Sequence, residues 1–472
     1  MTSVIHQYCD SKESCSLIRS GWTARLPQLG LLSALLLAIA LPAEGATRYV
    51  RAGAAGNGSG SDWTNAYASL PATLIRGDTY YIAAGNYSAY TFDDPESGSL
   101  AITIKKATSG DHGTDAGWQS AFSGQAVFNS VLRFERGNYI FDGQTRNEND
   151  WFAGAAYGFK ISSNNNAAQQ QLIVTGSNVT IKYTWAEGRR GAYNGAERRY
   201  AVDTEGGGTT NNPVFHRMLV TDSNNVWFLR NSNGAIVEYC AHTGATGNAE
   251  NHGEIVNLYF TAENSVIRYN QFTNAYTASG GTALIAIADS RGTSNPPRTE
   301  IYGNLFWNYG TTDATIGFLG NSANGGNATN SVVVNNTFVD GHSGYGWGIQ
   351  FPDGSGNIVR NNLFIRGNGS PTTALNLGSG ATNSNNGFGT GSGSSGSNAR
   401  TGLPTSIFVG YSGYSNLRLA TPVSGGAPLP APYNQDMFGN IRGADGVWDI
   451  GAFEYSEGGS LPTPPTNLRT TN

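Results

Sequence analysis

Groups that move protons or hold anions crowd into one short stretch of this chain, NHGEIVNLYFTAENSVIRYNQF, from Asn251 to Phe272. Its first half sets an amide (Asn251), an imidazole (His252), a carboxylate (Glu254) and a phenol (Tyr259) within nine residues, and Arg268 follows in the second half. On an extended backbone His252 and Glu254, two apart, project to one side. His216 and His242 lie upstream, so three of the six histidines fall within 37 residues; Asp289 and Arg291 follow in IADSRGTSN. Such a set suits β-elimination on a uronic-acid chain. One group must neutralise the carboxylate so that the C5 proton becomes acidic. A base then removes that proton and an acid protonates the departing O4. Asn251, His252 or a metal held by Glu254 serves the first role, and Tyr259 or His252 the second or third. Arg268 or Arg291 grips the carboxylate in bidentate fashion.

A second group is cationic. AEGRRGAYNGAERRYAVDTEGGG (186–208) carries Arg189, Arg190, Arg198 and Arg199 on one long turn. In a chain of net charge −5 they form a local patch suited to carboxylate or sulfate groups. Trp185, Trp227, Trp307 and Tyr309 are flat surfaces on which sugar rings could stack.

The elements that must position these groups repeat. AIVEYCAHTG (235–244), SVIRYNQFTN (265–274), TEIYGNLFWN (299–308), SVVVNNTFVD (331–340) and NIVRNNLFIR (357–366) align, with weaker copies VTIKYTWAEG (179–188) and RMLVTDSNNV (217–226). The last four strong copies share Asn-x-Phe, with Asn at 270, 304, 336 and 362 and Phe at 272, 306, 338 and 364. Intervals of 34, 32 and 26 residues fit short strands joined by polar turns, and no 3.6-residue periodicity is present. A unit this small cannot bury its apolar face alone, so successive units must stack, Phe on Phe and Asn on Asn. The predicted fold is all-β, a right-handed parallel β-helix. Its register places Lys182, Val220, Glu238, Arg268, Tyr302, Val334 and Arg360 in one outward column, with Glu238 and Arg268 paired across one rung of about 5 Å. His242 is expected at a turn.

Composition agrees. Glycine is 64 of 472 residues, about twice the ~7% of an average protein, which implies many tight turns. Mild acidity, 13% charged residues and no basic tract argue against a nucleic-acid partner. LGLLSALLLAIAL (Leu29 to Leu41) is too short to span a membrane, follows Arg19 and Arg25, and precedes small residues at Ala43 and Gly45. It reads as a secretory signal over 1–45, and no other run is apolar enough to span a membrane. Cleavage leaves Cys240 alone, so the exported protein is expected to lack an internal disulfide. The body divides into an opening region (46–150), stacked coils (151–400) and a closing segment (401–455), ahead of a Pro-rich tail (456–472).

The Asn-x-Phe repeats resemble those of the pectin-lyase-like β-helix superfamily. TRYVRAGAAGNGSGSDWTNAYASLP with RGDTYYIAAGNY resembles the first coil of exported bacterial members, and LRLATPVSGGAP…FGNIRGADGVWDIGAFEY the segment that finishes them. The superfamily includes lyases, hydrolases, epimerases and non-catalytic surface proteins. The coil around Glu254 also resembles the active coil of the chondroitinase B and alginate lyase family. There an acidic pair two apart holds calcium and a lysine base follows five residues later. Here Glu254 matches the second acid, while His252 stands at the first and Tyr259 at the lysine. The resemblance implies calcium at Glu254, and Asp289 is the further candidate ligand.

The resulting expectation is a secreted or periplasmic monomer acting as a lyase on an acidic polysaccharide. His252, Tyr259, Arg268 and Glu254 carry the chemistry. Asn251, His242, Arg189, Arg190, Arg198, Arg199 and Arg291 hold substrate. A glycoside hydrolase using two of Asp203, Glu205, Asp222, Glu238, Glu254 and Asp289, or a non-catalytic carbohydrate-binding surface protein, are the other readings.

Overall fold

The computed structural model describes residues 45–162, 170–188, 200–204, 206–223, 225–245, 254–259, 262–273, 283–288, 298–307, 314–318, 329–340, 348–351, 355–366, 374–390, 395–411 and 416–457. The proposed signal sequence lies outside these residues, apart from Gly45.

Strands of mostly three to five residues form three long parallel sheets, beside a two-stranded one of Thr210–Asn211 and Ser232–Asn233. The first holds 12 strands, from Thr47–Val50 to Thr382–Ser384. The second also holds 12, from Gly85–Tyr87 to Arg400–Leu403, and the third holds 10, from Tyr90–Phe92 to Leu375–Leu377. The chain visits the sheets in turn, so each circuit adds one rung to each: a right-handed parallel β-helix, as the repeats predict.

Alternation decides which side chains enter the core. Ile102–Lys106 shows it plainly, with residues 102, 104 and 106 buried and 103 and 105 half-exposed. The corner between the first and second sheets is a tight turn whose leading residue has positive φ. Tyr183, Arg217, Tyr239, Tyr269, Asn335 and Asn361 all occupy it, at φ 48 to 58°. Asparagine tolerates that conformation best among residues with a side chain. At Gly303 (φ 66°) a Cβ would meet the Tyr269 ring at 2.6 Å, so glycine is required there.

The residue after the corner turns inward and builds the polar ladder. Asn270, Asn304, Asn336, Asn362 and Asn386 are fully buried. Each of the first four donates its backbone N–H and Nδ2 to the Oδ1 of the next, at 2.8–3.2 Å. Cys240 holds the same place one rung earlier. Its N–H donates to Asn270 Oδ1 (2.9 Å), and its Sγ accepts from Met218 N (3.3 Å). Burial pushes this thiol up to about 12, so it stays protonated and serves as a core residue.

Two residues further on, Phe272, Phe306, Phe338, Phe364 and Phe388 stack face to face, with centroids 4.6–5.5 Å apart. The column continues upward through His242, stacked on Phe272, to Val220. Two expectations are corrected here. His242 lies inside the strand Ala241–Ala245 as part of the core column, with no exposed surface, so it cannot touch a substrate. Val220 faces the core, and its place in the outward column belongs to His216, because the copy in that coil begins at Pro213 and not at Arg217.

Residues 403–455 fold back across the corner between the first and second sheets. Asn361 and Ala427 exchange two hydrogen bonds of 2.8 Å, and Asn335 Nδ2 donates to Tyr433 O (2.9 Å). Tyr269, Tyr302, Met437, Phe438 and Phe453 are buried together beneath this segment.

Candidate active site

The outer face of the third sheet brings buried charged and aromatic groups together. The strand Asn225–Arg230 sends Trp227 and Leu229 into the core. By alternation Phe228 and Arg230 face outward. In register, Asp203 of the preceding rung lies beside Phe228, while Arg230 lies beside Tyr259 of the next. The Arg230 guanidinium sits 4.2 Å from the Phe228 ring centroid and 3.7 Å from Asp203 Oδ2. Phe228 stacks on Tyr200 at 4.3 Å, 4° from parallel. Thr204 fixes the backbone of Arg230 through two hydrogen bonds, 2.9 and 3.0 Å. Burial raises the Asp203 carboxyl to about 6, against the opposing pull of Arg230 and of Gln170, whose Nε2 donates to it at 3.3 Å. A guanidinium fixed over an aromatic ring keeps a planar donor edge whose shape matches a carboxylate.

Next to it on the same face is an open cleft of about 530 Å³, lined by Asp93, Arg133, Glu135, Arg136, Ile173 and Thr175. Ile173 is register partner of both Arg133 and Asp203, so cleft and pair lie along one column.

The chain segments that sequence reasoning singled out connect to this same sheet. Arg198 and Arg199 immediately precede the strand Tyr200–Asp203, Asn251 and His252 lead toward Val256–Tyr259, and Asp289 and Arg291 follow Ala283–Ala288. These residues, with Arg189, Arg190, Glu205 and Tyr309, lie outside the described residues. Glu254 is 1% exposed at the approach to Val256–Tyr259, where its carbonyl accepts from Val226 N at 3.3 Å.

Arg268 does not join them. Its strand, Val266–Arg268, belongs to the first sheet, whereas Tyr259 belongs to the third. The predicted pair with Glu238 is present, with Nε and Nη2 at 2.7 and 2.5 Å from Oε2, and Nη1 donates to Tyr302 Oη at 2.9 Å. Glu238 also accepts from His216 Nδ1 at 2.8 Å, and Arg217 Nε donates to His216 Nε2 at 3.0 Å. With Nε2 an acceptor the imidazole is neutral, in keeping with burial lowering its pKa. Burial alone would pull Arg268 down, but Glu238 and Tyr302 more than offset it, and the guanidinium stays charged. This network is buried and saturated, and Lys182 is likewise paired, with Asp142 at 2.8 Å.

Trp227 is core, and Trp185 is covered by Lys160, whose Nζ lies 3.7 Å from its ring centroid. Arg230 escaped the sequence reading. Superposing WFLR (227–230) on VNLY (256–259), where the large apolar residues alternate in step, would have set it beside Tyr259.

No protein-family model matches this sequence, and no curated protein does. Among solved structures the chain is similar to pectate lyase Pel9A, with TM-score 0.54 and 15% identity over 87% of this chain and 96% of that one. The fold is that of the pectin-lyase-like parallel β-helix. A rhamnogalacturonan lyase (TM-score 0.42, 13% identity, 72% of this chain and 87% of that one) superposes too loosely to bear on the site. So does the PL6 polysaccharide lyase Pedsa3628 from Pseudopedobacter saltans (0.35, 12%, 63% and 82%). These neighbours are polysaccharide lyases, but at such identity the chemistry must be read from this chain's own residues.

Among the described residues no three His, Cys, Asp or Glu side chains gather to hold a metal ion; of the two expected calcium ligands, Glu254 is buried and Asp289 lies outside the described residues. No helix among them is long and apolar enough to cross a membrane.

Proposed function

We propose that this protein is a secreted polysaccharide lyase that cleaves a uronic-acid-containing chain by β-elimination on the outer face of the third sheet. The observation that carries the reading is the placement of Arg230 beside Asp203 and, in register, beside Tyr259. Its support from fold is the likeness to a pectate lyase along nearly the whole of both chains.

In this reading Arg230 takes the carboxylate-gripping role first given to Arg268 or Arg291, and neutralises the carboxylate as it does so. A guanidinium on the uronate carboxylate lowers the energy of the carbanion that forms as the C5 proton leaves. Asp203 and the Phe228 ring hold that guanidinium in place. His252 accepts the C5 proton, the C4–O4 bond breaks as the C4–C5 double bond forms, and the Tyr259 phenol protonates O4. Glu254 and Asn251 orient His252. The arginines at 189, 190, 198 and 199, with Arg291, draw the polyanion onto the sheet.

The test is a panel of acidic polysaccharides (alginate, pectate, glucuronan, glycosaminoglycans) read by the ultraviolet absorbance of the unsaturated product. Arg230→Gln and Tyr259→Phe should each lower kcat by roughly 10²–10⁴-fold, the usual effect of losing a charge-stabilising or proton-transfer group. New reducing ends without that absorbance would replace this reading with a glycoside hydrolase. Binding without either product would leave a carbohydrate-binding protein.

A further inference from the structure

The outer column of the third sheet is electrostatically lopsided. From Asp203 toward the C-terminal coils its register partners are Phe228, Asn257, Ala286, Gly317, Gln350 and Asn376, with no charge among them. Toward the N-terminal coils it runs through Ile173 to Arg133, and there the 530 Å³ cleft opens. Arg133, Glu135, Arg136 and Asp93 are all exposed, and their side chains make no hydrogen bond or ion pair among the described residues. These four stand around Ile173 and Thr175.

We infer that this cleft is a distal subsite for a uronate unit of the substrate, so that the polyanion runs from Arg230 toward the N-terminal coils. The inference rests on the lyase reading for the direction of the chain, though not for the binding chemistry of the cleft. A uronosyl ring presents a carboxylate at one edge and vicinal hydroxyls at the other. Arg133 and Arg136 match the first as bidentate donors, Asp93 and Glu135 match the second as acceptors, and Ile173 lies under the ring face. Arg133 and Asp203 are two rungs apart, about 10 Å at the strand spacing. One rung is close to the advance of one pyranose along a chain, so consecutive units fall over consecutive rungs. Substrates too short to reach Arg133 therefore lose this contact.

The experiment compares wild type with Arg133→Gln/Arg136→Gln on size-fractionated oligogalacturonates and oligoalginates, scoring binding by calorimetry and turnover by absorbance. Both positions are exposed, so melting temperature should not move. Expected is a loss of affinity of about tenfold or more for long chains, the scale of a charge-assisted contact. Short chains should bind as before, and kcat should be unchanged. Equal binding of long chains by both proteins overturns the subsite. Equal weakening for short and long chains overturns it too, because it would place these arginines at the reaction centre. Neutral polymers that bind as well as uronates overturn the carboxylate assignment. Arginine-dependent binding of long uronates with no unsaturated product in wild type would sink the lyase reading and leave the subsite standing.

Discussion

The imidazole of His242 lies flat on the ring of Phe272, 4.5 Å between centroids and 11° from parallel, while its Nδ1 accepts a 2.6 Å hydrogen bond from Trp227 Nε1. A histidine has taken a rung of the aromatic column. It must stay neutral there, and burial lowers its pKa from 6.5 to about 3. The unfolded chain gains that proton below pH 6.5, whereas the folded one does not until about 3. Stability should therefore decline as pH falls through this window, by an amount on the order of a few kcal/mol. His242→Phe should flatten that limb in urea titrations between pH 6.5 and 4; an unchanged limb would show that other groups set acid stability.

Lys106 poses the same case at higher pH. Its ammonium is buried with only carbonyl partners, Ala107 O and, at 2.8 Å, Phe122 O, and burial lowers its pKa from 10.5 to about 7. Folding then favours the neutral amine. The unfolded chain holds more protons between pH 7 and 10.5, so this residue's contribution to stability rises with pH across that window. Lys106→Met should remove the rise in melting temperature seen between pH 7.5 and 9.5. A variant with the same slope as wild type refutes the assignment.

Within the asparagine ladder, Asn336 serves two rungs at once, accepting from Asn304 and donating to Asn362. Asn336→Leu fills the space but leaves buried donors on Asn304 without an acceptor, at roughly 1–3 kcal/mol for each orphaned group. Chemical denaturation should show a loss of that size. A neutral substitution would mean the ladder relaxes around the gap.

Arg268 and Arg230 offer a test that separates a scaffold role from the proposed chemistry. Arg268→Gln leaves Glu238 buried without its cation, a loss of about 3–5 kcal/mol, while the folded fraction keeps its turnover. Should Arg268→Gln instead abolish turnover at unchanged melting temperature, Arg268 returns to the reaction and the third-sheet site is wrong.

The repeating half of Asn251–Phe272 disclosed the architecture because stacking acts rung by rung. A residue type that must recur at one place in every coil, such as Asn at 270, 304, 336 and 362, leaves a period that sequence alone displays. The Glu238–Arg268 pair was legible for the same reason, since both follow a repeat whose register is fixed by its core residues. What repeats, the sequence determines.

Position within a copy that lacks the ladder asparagine is different. His242 looked like a turn residue because histidine is polar, but the column it completes accepts any flat ring that finds a donor for its nitrogen. His216 and Val220 exchanged roles because their copy has Met218 in place of asparagine, which removed the mark that sets register. Which outward groups share a face was likewise hidden. Tyr259 and Arg268 are nine residues apart yet on different sheets, because the chain turns a corner between them. Tyr259 and Arg230 are 29 residues apart and adjacent. Sequence order measures distance along a coil, but a site on a solenoid is assembled across coils, where the closing of each circuit decides which side chains meet.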